Sequence, residues 1–269
     1  MSKEGKLKKI TVPVLQRMKE QGEKISVLTA YDVLFAALED EAGIDCILVG
    51  DSVGMVYAGH ENTLPVTLDD MIYHTRAVRR GVKRALLVTD MPFLTFQISP
   101  QETLRNAGRI IQEAGAEAVK IEGPWCEAVE VVTAAGIPVM GHLGLTPQSI
   151  NQFGGYGLRG KETDERKQIL QAALDLEAAG CFSLVLEKIP ADLATEISTA
   201  LKIPTIGIGA GAGCDGQVLV NYDMLGLFEE FKPRFVRHYA QMAGEVRQAV
   251  SSFISDIKQG QFPNEKESF

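Results

Sequence analysis

The feature that most constrains this 269-residue chain is a set of five apolar runs, each ending at one acidic residue or histidine. A glycine precedes each of these polar residues by six to nine positions. This order is typical of a helix end, a tight turn, a buried strand and a polar side chain where the strand emerges. Parallel strands would deliver such residues to the same edge of one sheet. The five strand-end residues are Asp51, Asp90, Glu122, His142 and Glu187.

Apolar runs and helical patterns alternate along the chain and predict eight strand–helix units. The expected strands are 25–30, 46–50, 85–89, 118–121, 138–141, 182–186, 204–208 and 218–220. Near-continuous apolar strands separated by helices favour a parallel sheet. We therefore predict an α/β fold: a (β/α)8 TIM barrel in a single domain over residues 1–269. A doubly wound open sheet is the alternative, weakened by the missing Gly-x-Gly-x-x-Gly turn after the first strand.

The helices between these strands carry recognisable start signals. Thr67 is the expected N-cap of one helix, and Ser99 with Glu102 forms a capping box at the start of another. An extra N-terminal helix over 11–21 is placed to close the bottom of the barrel. The other expected helices are 33–41, 67–80, 99–114, 127–135, 164–179, one after Pro190, and a last one within 234–258.

Composition narrows the functional class. The net charge of −8 argues against a nucleic-acid surface, which needs a basic stripe. No apolar stretch approaches the roughly 20 residues of a membrane span. The first nine residues are charged without an apolar signal core, and the four cysteines lack metal-site spacing, so we expect free thiols in a cytoplasmic protein. The polar ends, 1–9 and 259–269, are expected to fray.

Three of the strand-end acids suggest a metal site. Asp51, Asp90 and Glu122 follow consecutive strands, and converging carboxylates would repel one another and raise their pKa values. A hard divalent cation removes that repulsion, and all-oxygen ligation with few protein carboxylates suits Mg²⁺. The alternative is that each acid caps the following helix or bonds nearby loop amides. Adjacent strand ends favour the metal.

Three further residues are candidate substrate contacts. Lys120 lies two positions before Glu122 and so shares its strand face, where it needs an anionic partner. That partner is either a substrate carboxylate or the acids themselves in a buried ion pair. His142 could donate to a substrate carboxylate or carbonyl, or be a satisfied core histidine. Ser52 offers a hydroxyl and an amide in the turn beside Asp51.

Glu187 differs from the other acids because apolar residues surround it in the sequence. A carboxylate in apolar surroundings has a raised pKa, as a general base near neutrality requires. The alternative is a salt bridge to Lys188 or to a loop lysine. A cation that polarises a 2-oxo acid, donors for its carboxylate and an opposed base together indicate enolate chemistry followed by aldol-type attack.

The same residues lie in motifs that closely resemble the ketopantoate (3-methyl-2-oxobutanoate) hydroxymethyltransferase family, in order from about Thr11 to Phe253. The motifs are Val49-Gly-Asp-Ser-Val-Gly54, Asp90-Met-Pro-Phe93, Val119-Lys-Ile-Glu-Gly123, His142-Leu-Gly-Leu-Thr-Pro-Gln148, Leu186-Glu187, Ile206-Gly-Ile-Gly-Ala-Gly211 and Asp215-Gly-Gln-Val-Leu-Val220. The resemblance implies a (β/α)8 barrel that transfers a one-carbon unit from 5,10-methylenetetrahydrofolate to 3-methyl-2-oxobutanoate. The products would be 2-dehydropantoate and tetrahydrofolate, in pantothenate biosynthesis.

The resemblance also implies roles for individual residues. Asp51, Asp90 and Glu122 would be the Mg²⁺ ligands, and Glu187 would remove the C3 proton. The oxo acid would be bound by Asp51, Ser52, Asp90, Lys120 and His142. The family assembles as a homodecamer, and its partners are small molecules rather than nucleic acid or membrane.

Two features depart from the family pattern, and two rival functions stay open. Lys188 stands where the family usually has Cys, and a cation beside the base would lower its pKa unless the side chain points away. The loop 156–160 is shorter and less lysine-rich than usual, which puts folate contacts in doubt. The rivals are a Mg²⁺-dependent lyase or mutase of the isocitrate lyase and phosphoenolpyruvate mutase type, and an inactive barrel that binds a metabolite.

Overall fold

The computed structural model describes residues 8–229 and 233–269. The chain divides into two compact units, Met1–Val220 and Asn221–Phe269. The first unit contains a closed barrel of eight parallel strands in chain order, which confirms the predicted (β/α)8 fold. A single domain over 1–269 stays a prediction. The strands are β1 Ile25–Thr29, β2 Cys46–Val49, β3 Leu86–Asp90, β4 Ala118–Glu122, β5 Val139–Gly144, β6 Ser183–Glu187, β7 Thr205–Ile208 and β8 Gly216–Leu219.

Helices follow the strands at the predicted places, with additional short helices in the loops. Strand β7 is the exception among the described residues: it leads into β8 without a helix, so one of the eight predicted strand–helix units lacks its helix. One predicted helix is subdivided: α5 continues from 110 to 114 as a π-helix and ends at Gly115 in the left-handed conformation. The helices are α1 Val12–Glu20, α2 Val33–Ala42, α3 Val53–Val56, α4 Leu68–Gly81, α5 Pro100–Arg109, α6 Cys126–Ala134, α7 Ile150–Phe153, α8 Thr163–Ala178, α9 Ala191–Ala200, α10 Asn221–Met224 and α11 Met242–Lys258.

Two apolar cores lie on opposite sides of the barrel wall. The outer core lies between strands and helices, and the inner core fills the barrel. Leu15 and Met18 of α1 are buried in the inner core with strand residues such as Ile25 and Val218. Because Ile25 is the first residue of β1, α1 closes the end of the barrel where the strands begin, as predicted.

Strand alternation decides which side chains enter the barrel, because successive side chains of a strand point to opposite faces. In β4, Ala118 belongs to the inner core, whereas Val119 and Ile121 belong to the outer core. Lys120 and Glu122 therefore share the inner face with Ala118. The same alternation turns the last polar residues of β3, β5 and β6 inward, beyond the inner-core residues Val88, Met140 and Val185.

The second unit contains α10 and α11. Five apolar side chains of α11 form one exposed stripe along the helix: Val246, Val250, Phe253, Ile254 and Ile257. In the described residues no helix has the length and apolar character needed to span a bilayer. Of the predicted frayed ends, residues 1–7 lie outside the described residues, and fraying of 259–269 stays a prediction. Lys9 is anchored by bonds to Ala85 and Glu117.

Candidate active site

The pairing of strands β3 to β6 brings four of the five strand-end residues to one end of the barrel. Asp90 pairs with Lys120 across β3 and β4, and Glu122 pairs with His142 across β4 and β5. Glu187 pairs with Gly144 at the end of β5. Asp51 lies in the turn directly after β2 and is buried. The structure thus brings together the residues that the sequence predicted to meet.

Lys120 lies at the centre of this group. Its Nζ is 3.1 Å from Asp90 Oδ1, 3.5 Å from Glu122 Oε1 and 3.2 Å from His142 Nδ1. The side chains of Asp90, Glu122 and His142 are all almost fully buried, so these charges interact with little screening by water. Of the two partners considered for Lys120, a substrate carboxylate or the acids, the structure shows the ion pair with the acids.

His142 joins this group to Glu187. His142 Nδ1 lies 3.5 Å from Glu122 Oε1, and Nε2 lies 3.3 Å from Glu187 Oε2. Burial and the charge of Lys120 lower the pKa of His142, but the two glutamates outweigh them and raise it to about 9. The imidazole is a direct link between the acid cluster and the candidate base.

The pKa values of the acids do not shift together, contrary to the expectation of mutual repulsion. Burial and the charges of Glu122 and Asp90 raise the pKa of Asp51 well above its usual range. Burial also raises the pKa of Asp90, although Lys120 opposes it. Glu122 behaves differently: burial would raise its pKa, but Lys120 and His142 lower it to about 2. Glu122 is thus the anion that the neighbouring cations stabilise.

Gln148 carried no predicted role, yet it contacts two of the acids. Its Nε2 donates to Asp51 Oδ2 and to the carbonyl of Met91, both at 2.9 Å. Its backbone N–H donates to Glu122 Oε2 at 3.1 Å. Gln148 is buried in a single 3₁₀ turn after β5. In the sequence, Gln148 stands out only as the last residue of the motif His142–Gln148, in the loop that follows a strand-end histidine.

The turn after β2 positions Ser52 beside the acids. Tyr31, which follows β1 and is fully buried, places its hydroxyl 2.9 Å from Ser52 Oγ. A Cβ added at Gly50 would lie 2.7 Å from Ser52 Oγ and 3.6 Å from Asp90 Oδ2, so a larger residue there would displace the Ser52 hydroxyl. The Asp51 amide donates to Asp90 Oδ2 at 3.1 Å. Tyr31 is a second site residue that had no predicted role.

The end of β6 holds Glu187 in place. The Glu187 carbonyl accepts from the Leu145 amide at 2.8 Å. Gly144 has φ +93°, and a Cβ there would lie 2.2 Å from the Glu187 carbonyl oxygen, so this approach requires glycine. The Glu187 side chain is 15% exposed. The ammonium of Lys188 donates to the carbonyl of Tyr156, so the alternative of a Lys188–Glu187 salt bridge is not what the structure shows.

Two buried polar atoms at the site make close ion-pair contacts but no hydrogen bond of good geometry among the described residues: Asp90 Oδ1, 3.1 Å from Lys120 Nζ, and His142 Nε2, 3.3 Å from Glu187 Oε2. Native proteins satisfy nearly all such atoms, so a bound ligand would complete the hydrogen bonding of these two. Within the described part of the chain, no three Asp, Glu, His or Cys side chains are already arranged to hold a metal ion. Lys120 lies between Asp90 and Glu122 instead. Carboxylates nevertheless outnumber cations here.

Two solved structures with a similar fold share little sequence with the chain. Phosphonopyruvate hydrolase, in a complex with oxalate and Mg²⁺, has a TM-score of 0.61 at 14% identity, covering 96% of this chain and 93% of that one. 2,3-Dimethylmalate lyase has a TM-score of 0.59 at 15% identity, covering 96% and 91%. At this identity the likeness concerns the fold alone.

Sequence relatives are much closer. A 3-methyl-2-oxobutanoate hydroxymethyltransferase from Syntrophus aciditrophicus is 54% identical, with both chains covered completely. One from Prosthecochloris aestuarii is 56% identical over 98% of each chain. The family model for ketopantoate hydroxymethyltransferase matches residues 9–265. The chain therefore belongs to the ketopantoate hydroxymethyltransferase family.

Proposed function

We propose that this enzyme transfers a hydroxymethyl group to 3-methyl-2-oxobutanoate, with 5,10-methylenetetrahydrofolate as the one-carbon donor. Donor, oxo acid and one water would give 2-dehydropantoate and tetrahydrofolate. Membership in the family and the names of the relatives support the transfer and the acceptor. The folate donor rests on the resemblance of the motifs. The reaction requires a base for C3 and cationic groups that hold the oxo acid.

The observation that carries the proposal is the continuous contact from Asp90 through Lys120 and His142 to Glu187. Lys120 and His142 thus lie between Asp90 and Glu122 on one side and Glu187 on the other. An anionic oxo acid bound at Lys120 and His142 would lie within reach of Glu187. Ser52 would add a hydroxyl to this set of substrate contacts, and Asp51 and Asp90 would lie beside it.

The chemistry of the acids fits a hard divalent cation. Asp51, Asp90 and Glu122 supply carboxylate oxygens, and Asp90 Oδ1 makes an ion pair with Lys120 but no hydrogen bond of good geometry among the described residues. Lys120 and a protonated His142 do not balance these three carboxylates together with Glu187. Asp51, Asp90 and Glu122 would hold Mg²⁺. When bound, the ion would polarise the ketone of the oxo acid and so acidify the adjacent C–H bond.

The residues of the chain then divide the work of proton removal. The carboxylate of Glu187 would take the proton from C3, and the electron pair left behind would form an enolate. His142, between Glu187 and Glu122, would orient the base and donate to the oxo acid. C3 of the enolate would then attack the one-carbon unit.

We further propose that the enzyme is a homodecamer located in the cytoplasm. A homodecamer follows from the family resemblance, and the exposed apolar stripe of α11 supports contact with a second copy of the chain. A cytoplasmic location agrees with the four cysteines, which are all free thiols.

The deciding experiment is exchange of the C3 hydrogen of 3-methyl-2-oxobutanoate in deuterium oxide, followed by NMR. This half-reaction needs base and metal but no folate. We expect exchange that requires Mg²⁺ and stops on chelation. Glu187→Gln should lower the exchange rate by about 10³-fold or more while the oxo acid still binds, because the variant loses only the proton acceptor. Glu130→Gln, exposed on α6, is the matched control.

The outcomes separate the rival functions. No exchange by the unaltered enzyme with Mg²⁺ would overturn the proposed reaction. Cleavage of 2,3-dimethylmalate or phosphonopyruvate instead would favour the lyase and mutase class. Loss of oxo-acid binding in Glu187→Gln would assign that residue a structural role.

A further inference from the structure

Lys188, directly after the candidate base, has an unusual backbone conformation. Its φ is +46°, in the left-handed region that side chains other than glycine rarely adopt. Such strain persists only where surrounding contacts impose it, and it concentrates at functional sites. The contacts that Lys188 makes must therefore hold it in this conformation.

Those contacts fasten one loop at two points. The Lys188 ammonium donates to the carbonyl of Tyr156, and the Lys188 carbonyl accepts from the Arg159 amide at 2.9 Å. The Lys188 amide donates to the Ile208 carbonyl at 2.9 Å, which ties the residue to β7. Side chain and backbone of a single residue thus hold both parts of the segment 154–160, called the mouth loop below.

The mouth loop reaches the opposite side of the site through Tyr156. The Tyr156 hydroxyl lies 3.9 Å from Met55 Sδ, and Met55 belongs to α3, which begins after Ser52. Burial raises the pKa of the Tyr156 phenol, and so do the charges of Glu187 and Asp51. Lys188 and Tyr156 therefore connect the Glu187 side of the barrel mouth to the Asp51 side.

The mouth loop itself has little internal support. It contains four glycines in seven residues, so its ordering carries a large conformational entropy cost. Its far end is held by Arg159, which lies over the Phe153 ring at 4.0 Å and pairs with Glu165. The segment around Tyr156 depends on the Lys188 ammonium and the Met55 contact.

We propose that Lys188 is a positioning residue that latches the mouth loop across the candidate active site, beside Glu187. The consequence for the reaction rests on the proposed function. The latch orders the loop before the oxo acid binds, so binding need not supply the ordering entropy. It also directs the lysine charge to a loop carbonyl and keeps it off the carboxylate of Glu187.

The test compares three substitutions at this position. Lys188→Met keeps the length but loses the donor, Lys188→Arg keeps a cationic donor, and Lys188→Gly removes both side chain and backbone strain. In Lys188→Met and Lys188→Gly, hydrogen exchange of the amides in 154–160 should accelerate about tenfold, as expected when a hydrogen bond to a charged group is lost. Lys188→Arg should remain within about twofold of the unaltered protein.

Kinetics of C3 exchange give the second measurement. In Lys188→Met, KM for the oxo acid should rise about fivefold while kcat changes less than about twofold, because the proton-transfer groups are unchanged. A purely structural defect would lower kcat and melting temperature together, and arginine would not rescue it. Lys167→Met, at an exposed lysine on α8, controls for the loss of one positive charge.

Each of the two measurements has an outcome that would contradict the proposed role of Lys188. Loop exchange in Lys188→Met equal to that of the unaltered protein would do so, as would a fall in kcat at constant KM. The hydrogen-exchange arm needs no substrate, so it tests the latch even if the enzyme proves to lack C3 exchange. Failure of the latch and failure of the proposed reaction are thus observed separately.

Discussion

At the scale of single residues, Gln148 best illustrates how neutral groups organise a charged site. Its amide joins Asp51 to the carbonyl of Met91, and its backbone N–H binds Glu122. A neutral donor stabilises carboxylates without adding a charge that would compete with a bound cation. Partners of this kind orient metal-binding carboxylates and are often as important as the ligands.

Gln148→Ala should therefore weaken Mg²⁺ binding and C3 exchange together. We expect a loss of about 10- to 100-fold in Mg²⁺ affinity, measured by calorimetry, because Asp51 loses the donor that orients it. Gln97→Ala is the control, since Gln97 touches the same network only through a long 3.4 Å contact. Unchanged Mg²⁺ affinity in Gln148→Ala would show that Gln148 only packs the loop.

At the scale of secondary-structure elements, the start of α4 was predicted correctly and has a clear cause. Thr67 accepts from the Asp70 amide at 3.2 Å, and Asp70 accepts from the Thr67 amide at 2.9 Å. These reciprocal bonds satisfy amides that a helix start leaves unpaired. Helix starts are predictable because all their partners lie within one turn.

Thr67→Ala should lower the free energy of unfolding by about 1 kcal/mol, as loss of an N-cap usually does. Hydrogen bonds from Thr67 lower the pKa of Asp70 below its ordinary value of 3.8. The contribution of Asp70 is therefore fully present above pH 3.8 and lost only as the pH falls through the lower folded value. Urea unfolding should therefore give the same difference in free energy of unfolding between Thr67→Ala and the unaltered protein at pH 7 and at pH 5. A difference that vanishes at pH 5 would contradict this account.

Other elements departed from the sequence prediction. Strand β5 was expected to end at residue 141 but runs to Gly144, because His142 pairs with Glu122 and with Val185 of the two neighbouring strands. The helix expected over 99–114 changes to a π-helix at Ile110. Strand length depends on the partners beside it, which local sequence does not reveal.

At the scale of the whole molecule, the apolar stripe of α11 leads to a prediction about assembly. Val250 and Phe253 are each 51% exposed, so replacing them does not disturb a core. The double substitution Val250→Asp with Phe253→Asp should reduce the mass measured by light scattering, because buried carboxylates would oppose contact between copies. Gln248→Asp with Ser252→Asp, on the opposite face of α11, should leave the mass unchanged. An unchanged mass in the first variant would contradict the assigned interface.

The sequence by itself determined the architecture and the residue types of the site. Apolar periodicity indicates parallel strands, strand ends indicate where polar groups emerge, and alternation places Lys120 and Glu122 on one face. These inferences need only neighbours along the chain.

Tertiary structure alone decided which groups meet. Gln148 reaches Asp51 across 97 positions, and His142 comes to lie between Glu122 and Glu187. Tertiary contacts also turned the Lys188 ammonium away from Glu187 and separated the pKa of Glu122 from those of the aspartates. Barrel closure and loop packing set these distances. The energy of interaction between two charges changes strongly when their separation changes by a few ångströms, and no sequence pattern specifies separations that closely.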